Sequence, residues 1–191
     1  YAPGITQAEA EEFYARQKAE GDQQHPIMYG MNSRLERAAD GSLHENVWRA
    51  DGMYGAAIRQ IVQMLSRAIP YAENERQQSV IRKLIEFYET GNLAVFDAYT
   101  ILWVEETEGE VDFTNGFTEV YGDPLGLKAS WEGYVNYTDH QATRRAQALS
   151  RNAQWFEDHS PVDARFKKPL CRGVSAKVIN AAILGGDLYP S

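Results

Sequence analysis

Apolar positions recur at helical spacing through the first half of the chain and at strand spacing through much of the second. Ile5-Thr6-Gln7-Ala8-Glu9 has the form of a capping box preceded by an apolar residue, so a helix is predicted from there to about Glu20, ended by Gly21, with Phe13 and Tyr14 on its buried side. From Asp22 to Asp51 no period is legible; His25-Pro26, Tyr29-Gly30-Met31-Asn32-Ser33-Arg34 and Asp40-Gly41 mark turns, and ordered loop or short strand is expected. Between Gly55 and Ile69 the residues Ile58, Ile61, Val62 and Leu65 form one stripe, and Pro70 stops it. A second stripe, Val80, Ile81, Leu84, Ile85 and Tyr88, predicts a helix from Ala72 to Thr90 closed by Gly91. Asn92 then starts a third, carrying Leu93, Phe96, Tyr99 and Trp103. Such short links imply helices packed antiparallel.

The pattern changes after the acidic stretch Glu105 to Glu110. Val111 to Tyr121 and Lys128 to Tyr137 read as strands joined by the turn Asp123-Pro124-Leu125-Gly126. In the first of them Glu119 and Tyr121 stand two apart, so both are expected on one face. Asp139 caps a predicted helix running to about Phe156, with Ala142, Ala146, Leu149 and Ala153 as its stripe. His159-Ser160-Pro161 and Lys167-Lys168-Pro169 punctuate a loop. Val174 to Leu184 is apolar and partly β-branched, a candidate buried strand stopped by Gly185-Gly186. The fold expected is α+β, a helical layer packed on a small mixed or antiparallel β-sheet. Residues 1–110 form its mainly helical part and 111–191 a strand-helix-strand part.

Composition narrows the partners. With 43% hydrophobic and 24% charged residues among 191, a packed core is expected rather than disorder. A net charge of -8 with no basic run argues against nucleic acid or an anionic membrane as partner, and suits cationic groups such as the amino end of a peptide. No apolar run is long enough to span a bilayer. The single cysteine, Cys171, leaves no internal disulfide framework and fits a reducing compartment, so a cytoplasmic location is expected; a monomer is the default expectation. The chain begins Tyr1-Ala2-Pro3-Gly4 and ends Leu188-Tyr189-Pro190-Ser191 directly after an apolar run. A fragment of a longer protein is expected, and the lack of a signal peptide therefore carries no weight.

Most candidate chemistry falls away. The histidines His25, His44, His140 and His159 are scattered. His44-Glu45 opens like a zinc-binding helix motif, but Trp48 and Arg49 stand where its second His belongs. Cys171 lies beside Arg172, but no His is near it in sequence to act as its base. Gly185-Gly186 lacks the companion glycines and lysine of phosphate-binding loops. A carboxylate and a phenol on one strand face, at Glu119 and Tyr121, can instead hold an ammonium group and donate to a carbonyl.

Phe117-Thr118-Glu119-Val120-Tyr121-Gly122-Asp123-Pro124-Leu125-Gly126, followed by Trp131-Glu132-Gly133, resembles the lower-lobe signature of the dipeptidyl peptidase III family of zinc metallopeptidases. The likeness extends upstream through Asn74-Glu75-Arg76-Gln77, Leu84 to Tyr88, Thr90-Gly91 and Leu102-Trp103. Downstream it continues through Trp155 to Asp163 and from Gly173 to Pro190, where the chain is similar to Bacteroides-type members.

The resemblance implies a two-lobed enzyme that removes dipeptides from the amino end of short peptides. This chain would be part of its lower, substrate-binding lobe. The family's zinc would be held by a His-Glu-x-x-Gly-His helix of the other lobe and a downstream Glu, all outside this chain. Its partners would be a short peptide with a free N-terminus and the zinc-bearing remainder of the same enzyme, and this chain alone is expected to be inactive. Glu119 matches the residue that binds the substrate's ammonium group. Tyr121 matches the tyrosine that donates to the scissile carbonyl, and Glu132 matches an acidic position shaping the same end of the cleft. Gly122 stands where eukaryotic members carry arginine. From the residues alone, a non-catalytic peptide-binding module or an interaction domain remains the alternative.

Overall fold

The structure, a computed structural model, describes residues 1–173, 177–186 and 188. Its order is α1 (Gln7–Glu20), β1 (Ser33–Arg37), β2 (Leu43–Val47), α2 (Gly55–Ala68), α3 (Glu75–Thr90), α4 (Leu93–Glu105), β3 (Val111–Glu119), β4 (Ser130–Thr138), α5 (His140–Arg151), α6 (Ala153–His159) and β5 (Ile179–Gly186). The fold is α+β. It divides into two compact units: Tyr1–Gly109 with Asn115–Gly133 and Gly185–Ser191, and Glu110–Thr114 with Tyr134–Leu184.

In the first unit the local signals act as predicted. Thr6 and Glu9 form the reciprocal capping box of α1, and Phe13 and Tyr14 are buried. Asn74 caps α3 by accepting from the Gln77 amide, so the helix begins at Glu75, three residues later than the predicted start at Ala72; a short 3-10 turn at Ile69–Tyr71 comes just before Ala72. Leu84, Tyr88 and Tyr99 are fully buried, where α3 packs against α2 and α4. Gly91 closes α3 in the left-handed region, at φ 68°, where a side chain costs roughly 1 kcal/mol or more. A Cβ there would also meet Val47 Cγ1 at 2.4 Å.

The stretch with no legible period contains a hairpin. β1 and β2 pair antiparallel, Ser33 opposite Val47 and Arg37 opposite Leu43, with Gly41 at φ 88° in the turn. His44 and Glu45 therefore lie on a strand. The segments flanking the hairpin are tied to α3 from both ends: the Ala50 amide donates to Tyr88 O at 2.9 Å, and Asn32 Nδ2 donates to Gly91 O at 2.9 Å.

β3, β4 and β5 lie side by side in that order in one sheet. In the second unit, the Thr138 amide donates to Glu110 O and Asp139 caps α5 through the Ala142 amide. The predicted single helix to Phe156 is instead two. Asn152 interrupts it, its side chain donating to Ala148 O at 2.7 Å. The residue of α5 that is buried is Thr143, whose hydroxyl accepts from the Val178 amide at 2.9 Å; Leu149, expected on the inner stripe, is 59% exposed. β5 is likewise exposed rather than buried, Ile183 at 62%. The predicted onset of that strand at Val174 lies outside the described residues. Among the described residues no helix is long and apolar enough to cross a membrane.

Candidate functional site

The site is assembled in the first unit, from the end of β3 to the start of β4. β3 stops at Glu119, so Tyr121 does not share a strand face with it, contrary to the expectation from their spacing. Asp123 N–H donates to Val120 O at 3.1 Å, and this turn lifts Tyr121 out of the sheet, 74% exposed. The Gly122-Asp123-Pro124 breaker thus acts earlier than the β-favouring Val120-Tyr121 pair suggests. Gly122 has no positive φ, and a Cβ there meets nothing within 4 Å.

Glu119 is half-buried. Its carbonyl accepts from Ser130 Oγ at 3.3 Å, which joins the last residue of β3 to the first of β4. Thr118 Oγ1 donates to Glu132 Oε1 at 2.7 Å, so these two side chains share a face. Alternation along β3 then puts Glu119 on the opposite face, with Phe117 and Asn115. That face is fixed from below: Phe117 packs on Trp48 with ring centroids 4.9 Å apart. Tyr88, fully buried on α3, donates to Asn115 Oδ1 at 2.7 Å and accepts from Trp131 Nε1 at 2.9 Å. Burial pushes the Tyr88 phenol pKa up, so it stays a neutral donor. Tyr88→Phe should cost about 1–3 kcal/mol, because it strands Trp131 Nε1 and Asn115 without their partner. Denaturant unfolding of the chain measures this, and an unchanged midpoint would contradict it.

Sequence reasoning missed a buried network beside the site. Lys128, at the start of the predicted second strand, lies just before β4 with its side chain 11% exposed. Its ammonium donates to the Tyr14 hydroxyl, to Ser33 Oγ at 3.0 Å and to Gly30 O at 3.2 Å, which uses all three of its protons. The two hydroxyls pass the charge on, because Tyr14 donates to Glu45 Oε1 at 2.9 Å and Ser33 donates to the same oxygen. Glu45 itself stands 3.8 Å from the ammonium. The Tyr14 and Tyr1 rings lie under the cation at 4.6 and 5.5 Å. Partners from α1, β1, β2 and the N-terminal segment lie 95 or more residues away for Ser33, Gly30 and Tyr14, and no local signal announces them.

Burial lowers the Lys128 pKa to about 8, against the raising influence of Glu45 and Asp123. Since the folded value lies below the ordinary 10.5, the unfolded chain binds more protons between pH 8 and 10.5, and stability from this group rises with pH across that window. The wild-type chain should therefore gain on Lys128→Met by about 1–3 kcal/mol between pH 7.5 and 10.5. Denaturant midpoints of the two at each pH give the difference, and a gap constant with pH would refute it.

Asp123 is the other anchor of the loop. Its Oδ2 accepts from the Leu127 and Lys128 amides at 2.8 and 2.9 Å and from the Tyr1 hydroxyl at 3.0 Å. Burial opposes ionisation of Asp123, but the amide bonds from Lys128 and Leu127 outweigh it and hold the carboxyl below its usual range.

Among the described residues no group of three or more His, Cys, Asp and Glu could hold a metal. His25 pairs with Asp22 and His140 with Glu110, while His159 stacks on Trp155. The side chains of the described residues form no set that fits a zinc ion. A cavity of about 320 Å³ between Asn74, Arg76 and Glu105–Glu108 does not include Glu119, Tyr121 or Glu132; Arg76 pairs with Glu105 and Asn74 with Glu106 there.

A family model described as Peptidase family M49 matches residues 11–172. Dipeptidyl peptidase 3 of Dictyostelium discoideum is 29% identical over 117 residues, 61% of this chain and 17% of that protein. Dipeptidyl peptidase 3 of Mus musculus is 25% identical over 138 residues, 72% of this chain and 18% of its own. Among solved structures, DPP III from Caldithrix abyssi superposes with a TM-score of 0.73 at 18% identity, covering 98% of this chain and 34% of that one. Dipeptidyl-peptidase III from Corallococcus sp. strain EGB gives 0.62 at 21%, covering 96% and 33%. The chain thus spans less than a fifth of these curated relatives and about a third of these solved structures.

Proposed function

The chain belongs to peptidase family M49, and on that premise we propose that it is the substrate-holding portion of a dipeptidyl peptidase acting on the N-terminus of short peptides. The observation that carries this is the placement of Glu119 and Tyr121. A carboxylate closes β3, and a phenol stands two residues on, in an exposed turn anchored from behind. Glu119 takes the peptide's ammonium group and so sets the distance from the amino end at which the chain is cut. Tyr121 donates its phenolic proton to the scissile carbonyl oxygen as negative charge grows there. Glu132, on the other face, holds the Thr118 hydroxyl and thereby the strand end that carries Glu119.

The zinc implied by the family would be held by other parts of the enzyme, and among the described residues no group of His, Cys, Asp and Glu could hold it. The partners are a peptide and the remainder of the same polypeptide, as the larger size of the dipeptidyl peptidase III structures suggests.

The test is release of a chromogenic leaving group from a dipeptidyl substrate, by the complete enzyme and by this chain alone, each with and without zinc. Turnover is expected only from the complete enzyme. Zinc-dependent turnover by this chain alone would overturn the division of the site, and saturable peptide binding with no turnover by either would favour a non-catalytic module.

A further inference from the structure

Tyr121 lies beyond the end of β3, so strand geometry does not fix its backbone, which is carried by the loop from Val120 to Ala129. Four kinds of tether hold that loop. Gly126 N–H donates to Asp123 O at 2.9 Å, and Ala129 N–H donates to Met31 O at 3.0 Å. Asp123 Oδ2 gathers the Leu127 and Lys128 amides, closing residues 123–128 on themselves. Leu125 and Leu127 pack on the cluster of Ala10, Phe13, Tyr14 and Leu35. The last tether is the Lys128 ammonium, seated on Tyr14, Ser33 and Gly30.

Resting on the role assigned to Tyr121 above, we propose that Lys128 is a positioning residue for Tyr121, locking the loop between them to α1 and the β1–β2 hairpin. A lysine made only for solubility would extend its ammonium into water. This one is buried with every proton placed, and its two hydroxyl partners end on one carboxylate oxygen, a geometry that admits little slack. Removing the ammonium takes the donor from Tyr14 and Ser33, leaves Gly30 O only the Ser33 hydroxyl at 3.3 Å and leaves Glu45 without its counter-charge, so the anchor loosens where the loop returns. A donor that drifts by about an ångström from its acceptor can lose on the order of a hundredfold in rate. Glu45, Asp123, Tyr14 and Tyr1 are the titratable groups facing the ammonium, and none of them is placed against substrate.

The experiment is a double-mutant cycle in the complete enzyme, measuring kcat and KM for a dipeptidyl substrate with Lys128→Met, Tyr121→Phe and both together. Lys128→Met is expected to lower kcat roughly tenfold when Tyr121 is present and less than about threefold when Phe replaces it, because a misplaced donor matters only where a donor exists. KM should hold within about threefold. Equal losses in both backgrounds would overturn the proposal and leave a plain structural role. No loss of kcat on Tyr121→Phe alone would instead remove the assignment of Tyr121, and the positioning role with it. Should Lys128→Met not fold, Tyr14→Phe takes its place in the cycle: it deletes one acceptor of the ammonium, and the same non-additivity is expected at a smaller size. Additive losses with Tyr14→Phe would refute the proposal equally.

Discussion

Tyr121→Phe should lower kcat of the complete enzyme by roughly 10²–10³-fold and leave KM nearly unchanged. The substitution keeps the ring and removes one hydroxyl. That hydroxyl is assigned to an oxygen whose charge is small in the bound peptide and large in the transition state, so its loss is felt in the chemical step rather than in binding. Tyr121 is 74% exposed on a turn, and its ring contributes little to the core, so the unfolding midpoint should move by less than about 0.5 kcal/mol equivalent. Steady-state kinetics and denaturant unfolding on the same preparations separate the two effects. An unchanged kcat would remove Tyr121 from the chemistry. A fall in kcat that tracks a fall in stability would make it a structural residue.

Elements whose signals are local were legible in the sequence. The Thr6–Glu9 box, the Asn92 cap and Gly91 each fix a helix end with residues two to four apart, and each is where it was expected, whereas the cap of α3 at Asn74 lies past the expected start at Ala72. The β1–β2 hairpin was not legible, because Ser33-Arg34-Leu35-Glu36-Arg37 and Leu43 to Val47 bury one large apolar side chain, Leu35, and hold to distant groups such as Lys128, while Asn32 just before β1 holds Gly91. Alternation cannot reveal a strand whose partners are polar and remote. The end of β3 failed for a different reason. Strand propensity runs on through Val120 and Tyr121, but the Asp123 amide turns back to Val120 O and ends pairing first. β5 reads as core from composition, and yet its side chains are exposed within this chain. Lys128 was invisible as a buried charge because nothing near it in sequence differs from an ordinary strand entry.

Glu119→Gln should lower kcat/KM for peptides with a free amino end by about 10²-fold while leaving N-acetylated peptides at their low starting level. Gln preserves the shape and the hydrogen-bonding length of the side chain and removes only the charge. A half-buried carboxylate that meets an ammonium gains from the pair what neither group keeps when one is neutral, and a peptide lacking the ammonium strands the carboxylate. The discrimination between free and blocked peptides should therefore collapse, which is a sharper readout than activity alone. Glu132→Gln is the internal control. Glu132 lies on the opposite face and already accepts from Thr118 at 2.7 Å, so its neutralisation should change kcat/KM for both peptides together and by no more than a few-fold. Competition kinetics with a paired free and acetylated substrate give both ratios in one assay. If Glu119→Gln lowered the two equally, Glu119 would be holding the end of β3 rather than the peptide, and the register of cleavage would have to be set by another residue.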